Sequence, residues 1–158
     1  MKMREMDEEK AVDILSWRYE KPYDFYNNEE TAEARAELLN GTYHAVVDAE
    51  GQLFGFFCTG TSAQVPAGHE YGVYDEDCID MGLGMYPART GKGSGHTFCT
   101  FILEQIEARH PGKPVRLTVA AFNRRAIRLY EKLGFVQQHV FSTDAADFIT
   151  MIRSGFSH

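Results

Sequence analysis

Three glycines at alternate positions, Gly91, Gly93 and Gly95, surround a single lysine, Lys92, in a stretch that otherwise reads as a strand, a stop and a helix. Cys78 to Tyr86 is apolar enough for a short strand, Pro87 ends it, and the run from Gly95 to Arg109 sets Phe98, Ile102 and Ile106 on one helix face. Glycines free the backbone to bend so that consecutive N–H groups point into one concavity. Where a helix begins, unpaired N–H groups and the positive end of the dipole favour an anion. The chemistry on offer is phosphate binding; the plainer alternative is a tight connection between strand and helix.

Two familiar phosphate motifs fail letter by letter. A P-loop needs glycine where Tyr86 stands and Ser or Thr after Lys92, where Gly93 stands. A dinucleotide fingerprint needs glycine where His96 stands, and an acidic residue where the chain reads Pro111-Gly112-Lys113-Pro114. This leaves a nucleotide-binding or hydride-transfer domain as the disfavoured reading.

The stretch does resemble the acyl-CoA signature of the GNAT acetyltransferase superfamily. That signature is a strand ending in hydrophobic-x-Pro, then [Gln/Arg]-x-x-Gly-x-[Gly/Ala] at a helix start. Here the last part is Thr90-Gly91-Lys92-Gly93-Ser94-Gly95, with Thr90 in the Gln/Arg slot and Arg89 one residue early. A second segment, Asn123 to Phe135, resembles the same superfamily's Asn-x-x-Ala-x-x-x-Tyr-x-x-x-Gly-Phe, with Ala126, Tyr130, Gly134 and Phe135 in register.

The resemblance implies a fold, a cosubstrate and roles. The fold is α/β (α+β): a mixed central sheet of about seven strands, splayed between the fourth and fifth and flanked by about four helices. The reaction is transfer of an acetyl group from acetyl-CoA to a primary amine of a small molecule, protein or peptide. The backbone N–H near Met85 would polarise the thioester carbonyl, and the amides of Gly91 to Gly95, including Ser94, would hold the pyrophosphate, with charge added by Arg89 and Lys92. Asn123 would contact the pantetheine arm while also capping a helix. Tyr130 would return a proton to the CoA thiolate, which suits a phenol whose pKa near 10 keeps it protonated at neutral pH. A catalytic acid or base must also serve the amine. Asp80, on the strand leading into the motif, is the first candidate, sharing a face with Gly82 and Gly84 that leaves room for a substrate. Glu70, Asp77 and His69 are the other candidates. Asp80 could instead be a structural carboxylate paired with an arginine. An acyl-CoA-binding sensor of the same fold is the alternative to an enzyme.

The elements that must position these groups follow in order. Lys2 to Glu5 reads as a strand, Asp7 as the cap of a helix through Trp17, and Asn28 as the cap of a second helix, Glu29 to Leu39, ended by Asn40-Gly41. Between the helices lies an aromatic-rich segment whose Trp17, Tyr19, Tyr23 and Tyr26 are the expected acceptor-binding residues. Thr42 to Val47 and Gln52 to Thr59 form a hairpin around Asp48-Ala49-Glu50-Gly51. Gly60 to Asp77 reads as a long loop. Val115 to Ala120 is a central strand, Asn123 caps a helix to Leu133, and Val136 to Phe141 and Phe148 to Arg153 close the chain as an antiparallel pair.

Composition sets the bounds. The 158 residues, 44% hydrophobic and 13% aromatic, suit one folded domain spanning 1–158. The net charge of −7 is uneven: residues 86–132 carry nine Lys/Arg against three Glu, the remainder seven against twenty Asp/Glu. Phosphates would be drawn to the first region and a cationic, partly apolar amine to the second, and nucleic acid is not an expected partner. No metal is expected, since neither the three cysteines nor the six histidines fall at metal-ligand spacing. Without an apolar span or signal-like start, a cytoplasmic protein with no membrane contact is expected. An exposed final strand would allow a homodimer.

Overall fold

The structure, a computed structural model, describes residues 1–154. The last four residues of the expected 1–158 domain lie outside the described residues. The order is β1 (Lys2–Glu5), α1 (Glu8–Leu15), α2 (Ala32–Leu38), β2 (Tyr43–Val47), β3 (Leu53–Thr59), β4 (Ile79–Met85), α3 (Gly95–Arg109), β5 (Val115–Ala120), α4 (Arg124–Lys132), β6 (Val136–Ser142) and β7 (Asp147–Arg153). The strands form one mixed sheet in the order β1-β2-β3-β4-β5-β7-β6. Only β4 and β5 run parallel among the described pairs, and their ladder joins Ile79–Met81 to Val115–Leu117. It stops after those three rungs although β4 continues to Met85 and β5 to Ala120.

Contacts gather the chain into two compact units, and the chain passes from one to the other inside β4. The first comprises Met1–Cys58 and Leu83–Ser94. Its α1 is capped as expected, the Asp7 carboxylate accepting the Lys10 N–H at 2.8 Å. The helix ends at Ser16, so Trp17 lies beyond it and packs back among Ala11, Ile14, Leu15 and Leu38. The second helix begins later than expected: Thr31, not Asn28, is its cap, extended in backbone and accepting the Ala34 N–H at 3.0 Å. The β2–β3 turn is held by Asp48, whose carboxylate accepts the N–H groups of Glu50 and Gln52.

The second unit comprises Thr59–Gly82 and the chain from Gly95 onward. Helix α3 buries Phe98, Cys99, Ile102, Leu103 and Ile106. The expected long loop after β3 is instead two 3₁₀ turns, Gly60–Ala63 and Pro66–Tyr71. What orders it lies far along the chain. The Tyr74 hydroxyl accepts the Val65 N–H and bonds the Thr118 hydroxyl, each within 2.8 Å, and Gly68 sits where a Cβ would strike Val73 and Tyr74. The final strand is not the exposed one. β7 pairs with β5 on one side and β6 on the other, leaving β6 at the edge with Val136 and Val140 exposed.

Candidate active site

The glycine-rich turn starts as a 3₁₀ turn, Pro87–Arg89, and Thr90 folds back so that its hydroxyl donates to the Pro87 carbonyl at 2.7 Å. Gly91 and Gly93 then take positive φ, 71° and 78°, the left-handed conformation that L side chains avoid. No heavy atom lies within 4 Å of where a Gly93 Cβ would be, and Lys92 is exposed. Ser94 leads directly into α3 at Gly95. Left-handed glycines at 91 and 93, open space above Gly93 and one exposed ammonium beside it make a turn that fits a phosphate. Arg89 takes another course: its guanidinium donates to Asp48 at 2.7 Å and lies over the Phe54 ring, 5.2 Å from its centroid.

The end of β4 is gripped by the segment after α1. The Tyr86 N–H donates to the Phe54 carbonyl at 2.8 Å, and the Tyr19 hydroxyl donates to the Met85 carbonyl at 2.7 Å. Burial pushes the Tyr19 phenol up to about 12, so it remains a donor over any working pH. Trp17 packs against Tyr86 and Phe56, with ring centroids 5.5 and 6.0 Å apart, and is nearly fully buried. The face expected to be open beside Gly84 is filled: a Cβ there would collide with the Phe56 ring. Tyr23 and Tyr26 sit half-buried on a 3₁₀ turn, Tyr23–Tyr26.

In the second unit Asp80 is 4% exposed and fully engaged. Arg116, its register partner across the parallel ladder, donates from Nε to Oδ1 at 2.7 Å and from Nη2 to Oδ2 at 2.9 Å, while Gln64 Nε2 reaches Oδ2 at 2.8 Å. Burial pulls the Arg116 pKa down, but the Asp80 carboxylate outweighs it and the net shift is upward. Arg116 also donates to the Glu76 carbonyl and stacks on Tyr74. Of the other acids, Asp77 pairs with Lys113 at the surface, while Glu70 lies exposed on the turn Pro66–Tyr71. His69, exposed on the same turn, places its ring 5.1 Å from that of Tyr74. Tyr130 is buried on α4, its ring edge-on to Phe135, and Asn123 caps that helix by accepting the Ala126 N–H at 3.2 Å.

Arg116, Gln64 and Asp48 were not among the expected site residues. Arg116 had a signal, a charge inside the otherwise apolar strand Val115–Ala120, which demands a buried partner. Gln64 and Asp48 had none.

The sequence profile of the acetyltransferase (GNAT) family matches residues 9–135, through both motifs. The chain belongs to this family. No curated protein sequence matches it. Among solved structures, a spermidine N-acetyltransferase from Vibrio cholerae in complex with CoA and spermine has a TM-score of 0.73 at 19% identity, covering 98% of this chain and 95% of that one. A chimera of the Vibrio cholerae enzyme and hSSAT has a TM-score of 0.71 at 20% identity, covering 98% and 96%. A Bordetella pertussis protein assigned to the GnaT family has a TM-score of 0.73 at 15% identity, covering 96% and 93%. At these identities the likeness establishes the GNAT fold. As a GNAT acetyltransferase the chain transfers acetyl groups to amines with acetyl-CoA as donor.

Proposed function

We propose that this GNAT acetyltransferase acts on a small, cationic, partly apolar amine, with polyamines the first class to test. The observation that carries the reading is the turn from Thr90 to Ser94, with Gly91 and Gly93 at positive φ and open space above Gly93. The amides of Gly91 to Gly95 hold the pyrophosphate, with Lys92 adding charge and Arg89 bracing the turn through Asp48. Bound there, acetyl-CoA supplies an activated acyl group. The chain's own part is to present the Met85 N–H to the acyl oxygen, to use Asn123 on the pantetheine arm, and to return a proton from the Tyr130 hydroxyl to the departing sulfur.

The base is better sought outside Asp80. Both of its oxygens are occupied by Arg116 and Gln64, so accepting a proton would break a buried ion pair. Glu70, Asp77 and His69, all exposed, are the other candidates in the same unit, Asp77 being paired with Lys113, and water can relay to them. For the acceptor, the support is the acidic composition outside residues 86–132 and the half-buried Tyr23 and Tyr26 beside exposed Asp24, a pairing of rings and charge that suits an alkylammonium. The spermidine acetyltransferases among the fold relatives lend this class priority.

We read the two units as parts of one domain, because the chain changes unit within a single strand. We further place the protein in the cytoplasm, on the absence of any helix among the described residues long and apolar enough to cross a membrane. Two copies pair, in this reading, along the β6 edge.

Calorimetric titration with acetyl-CoA and, separately, NAD tests the cofactor, followed by thiol release with polyamines, aminoglycosides, amino acids and peptides. Micromolar binding of acetyl-CoA alone and turnover with a polyamine are expected. Acetyl-CoA binding without turnover on any amine would instead favour a sensor.

A further inference from the structure

The Tyr86 N–H points toward β3, where Phe54 accepts it. Along a strand the backbone groups of successive residues face opposite edges, so the N–H and C=O of Met85 both face away from β3. That outward C=O is the group the Tyr19 hydroxyl meets at 2.7 Å. The peptide joining Met85 to Tyr86 is therefore held from both sides, by a hydroxyl at its oxygen and a carbonyl at its N–H. In such a chain of hydrogen bonds each link polarises the next. Tyr19 is itself fixed, its N–H donating to the Asn27 side chain at 2.7 Å and its ring packed against the α1 core. Trp17 and Phe56 close the adjoining positions, on Tyr86 and Gly84.

We infer that Tyr19 is a positioning residue for acetyl transfer: its hydroxyl locks the Met85–Tyr86 peptide and so fixes the Met85 backbone, keeping the N–H on the other side of the Met85 Cα aimed at the acyl oxygen, and it is not primarily an acceptor contact. This rests on the proposed role of the Met85 N–H. The phenol suits the task because it is mostly buried and keeps its proton. A phenylalanine would preserve the packing and remove only the lock.

The test compares the wild type with Tyr19→Phe. Removing a direct oxyanion donor costs on the order of 10²–10³ in turnover, and loss of a residue that only aims one should cost less, roughly tenfold in kcat. The acetyl-CoA Kd and the acceptor KM should stay within about twofold, the bound peptide being retained. A readout independent of turnover is the infrared carbonyl stretch of ¹³C-labelled acetyl-CoA bound without acceptor, which should move in Tyr19→Phe toward its frequency in water. Asn27→Ala, which loosens Tyr19 without touching its hydroxyl, should shift both quantities the same way by less, and serves if Tyr19→Phe fails to fold. An unmoved carbonyl band with unchanged kcat would overturn the proposal. A raised acceptor KM at unchanged kcat would do so as well, returning Tyr19 to the acceptor wall. If the wild type binds acetyl-CoA but Met85 N–H makes no contribution, as shown by an unshifted band in the wild type itself, the underlying reading fails and Tyr19's role with it.

Discussion

Of the acids weighed as the base, Asp80 is the one the fold buries. Its carboxylate accepts two hydrogen bonds from Arg116, itself 1% exposed, and one from Gln64. Asp80→Asn should cost about 3–5 kcal/mol, the range for breaking a buried pair and stranding its partner. Urea unfolding measures it, and the shape of the pH–rate profile should not change. Loss of the acid limb, on which the rate rises as a base is deprotonated, would restore Asp80 as the base. Tyr130→Phe makes the complementary case: kcat should fall by about 10²-fold or more, in the range of general acid catalysis, with acetyl-CoA affinity nearly unchanged. A large loss of affinity would make Tyr130 a structural residue.

At the scale of elements, β4 carries two kinds of constraint. Its first half is tied by Asp80 to β5; its second half is seated against Phe56 through Gly84, where the ring occupies the volume of a Cβ. Gly84→Ala therefore has to displace Phe56 and, with it, the packing of Trp17. A cost of about 1–3 kcal/mol is expected from such overpacking, read as a lowered urea midpoint with unchanged slope. Most elements were legible from pattern: caps at Asp7 and Asn123, the four-residue spacing in α3, the Asp48 to Gly51 turn. The second helix starts three residues later than its pattern predicts because Asn28 and Thr31 are both good caps and the chain uses Thr31, whose backbone is extended. Pattern alone reads the segment after β3 as loop, because its glycines, prolines and polar residues carry no period; its order comes from Tyr74 and Thr118.

For the molecule as a whole, the uneven charge along the chain is only partly available to ligands. Arg89 and Arg116, two of the basic residues in 86–132, are neutralised by Asp48 and Asp80. The acid limb of stability reflects such pairings. The pKa of Asp48 is lowered by the Gln52 and Glu50 N–H groups and by Arg89, that of Asp77 by Lys113, and that of Asp7 by Lys10. A carboxyl depressed in the folded state stabilises it above the unfolded value near 3.8, and that contribution is lost as pH falls below it. Unfolding free energy should thus be flat from neutrality to about pH 5 and decline below about pH 4. Urea titrations at stepped pH check this, and Asp48→Asn should show a shallower decline than the wild type.

By itself the sequence determined the order of elements, the family and the glycine-rich turn, because caps, periodicity and glycine spacing are local properties written within a few residues. Only the tertiary structure decided which groups Asp80, Arg89 and Tyr19 pair with. Their partners Arg116, Asp48 and Met85 lie 36, 41 and 66 residues away. No local pattern carries such a pairing, since it arises only when separate strands and turns are brought into register and a buried polar group takes whichever partner the fold delivers.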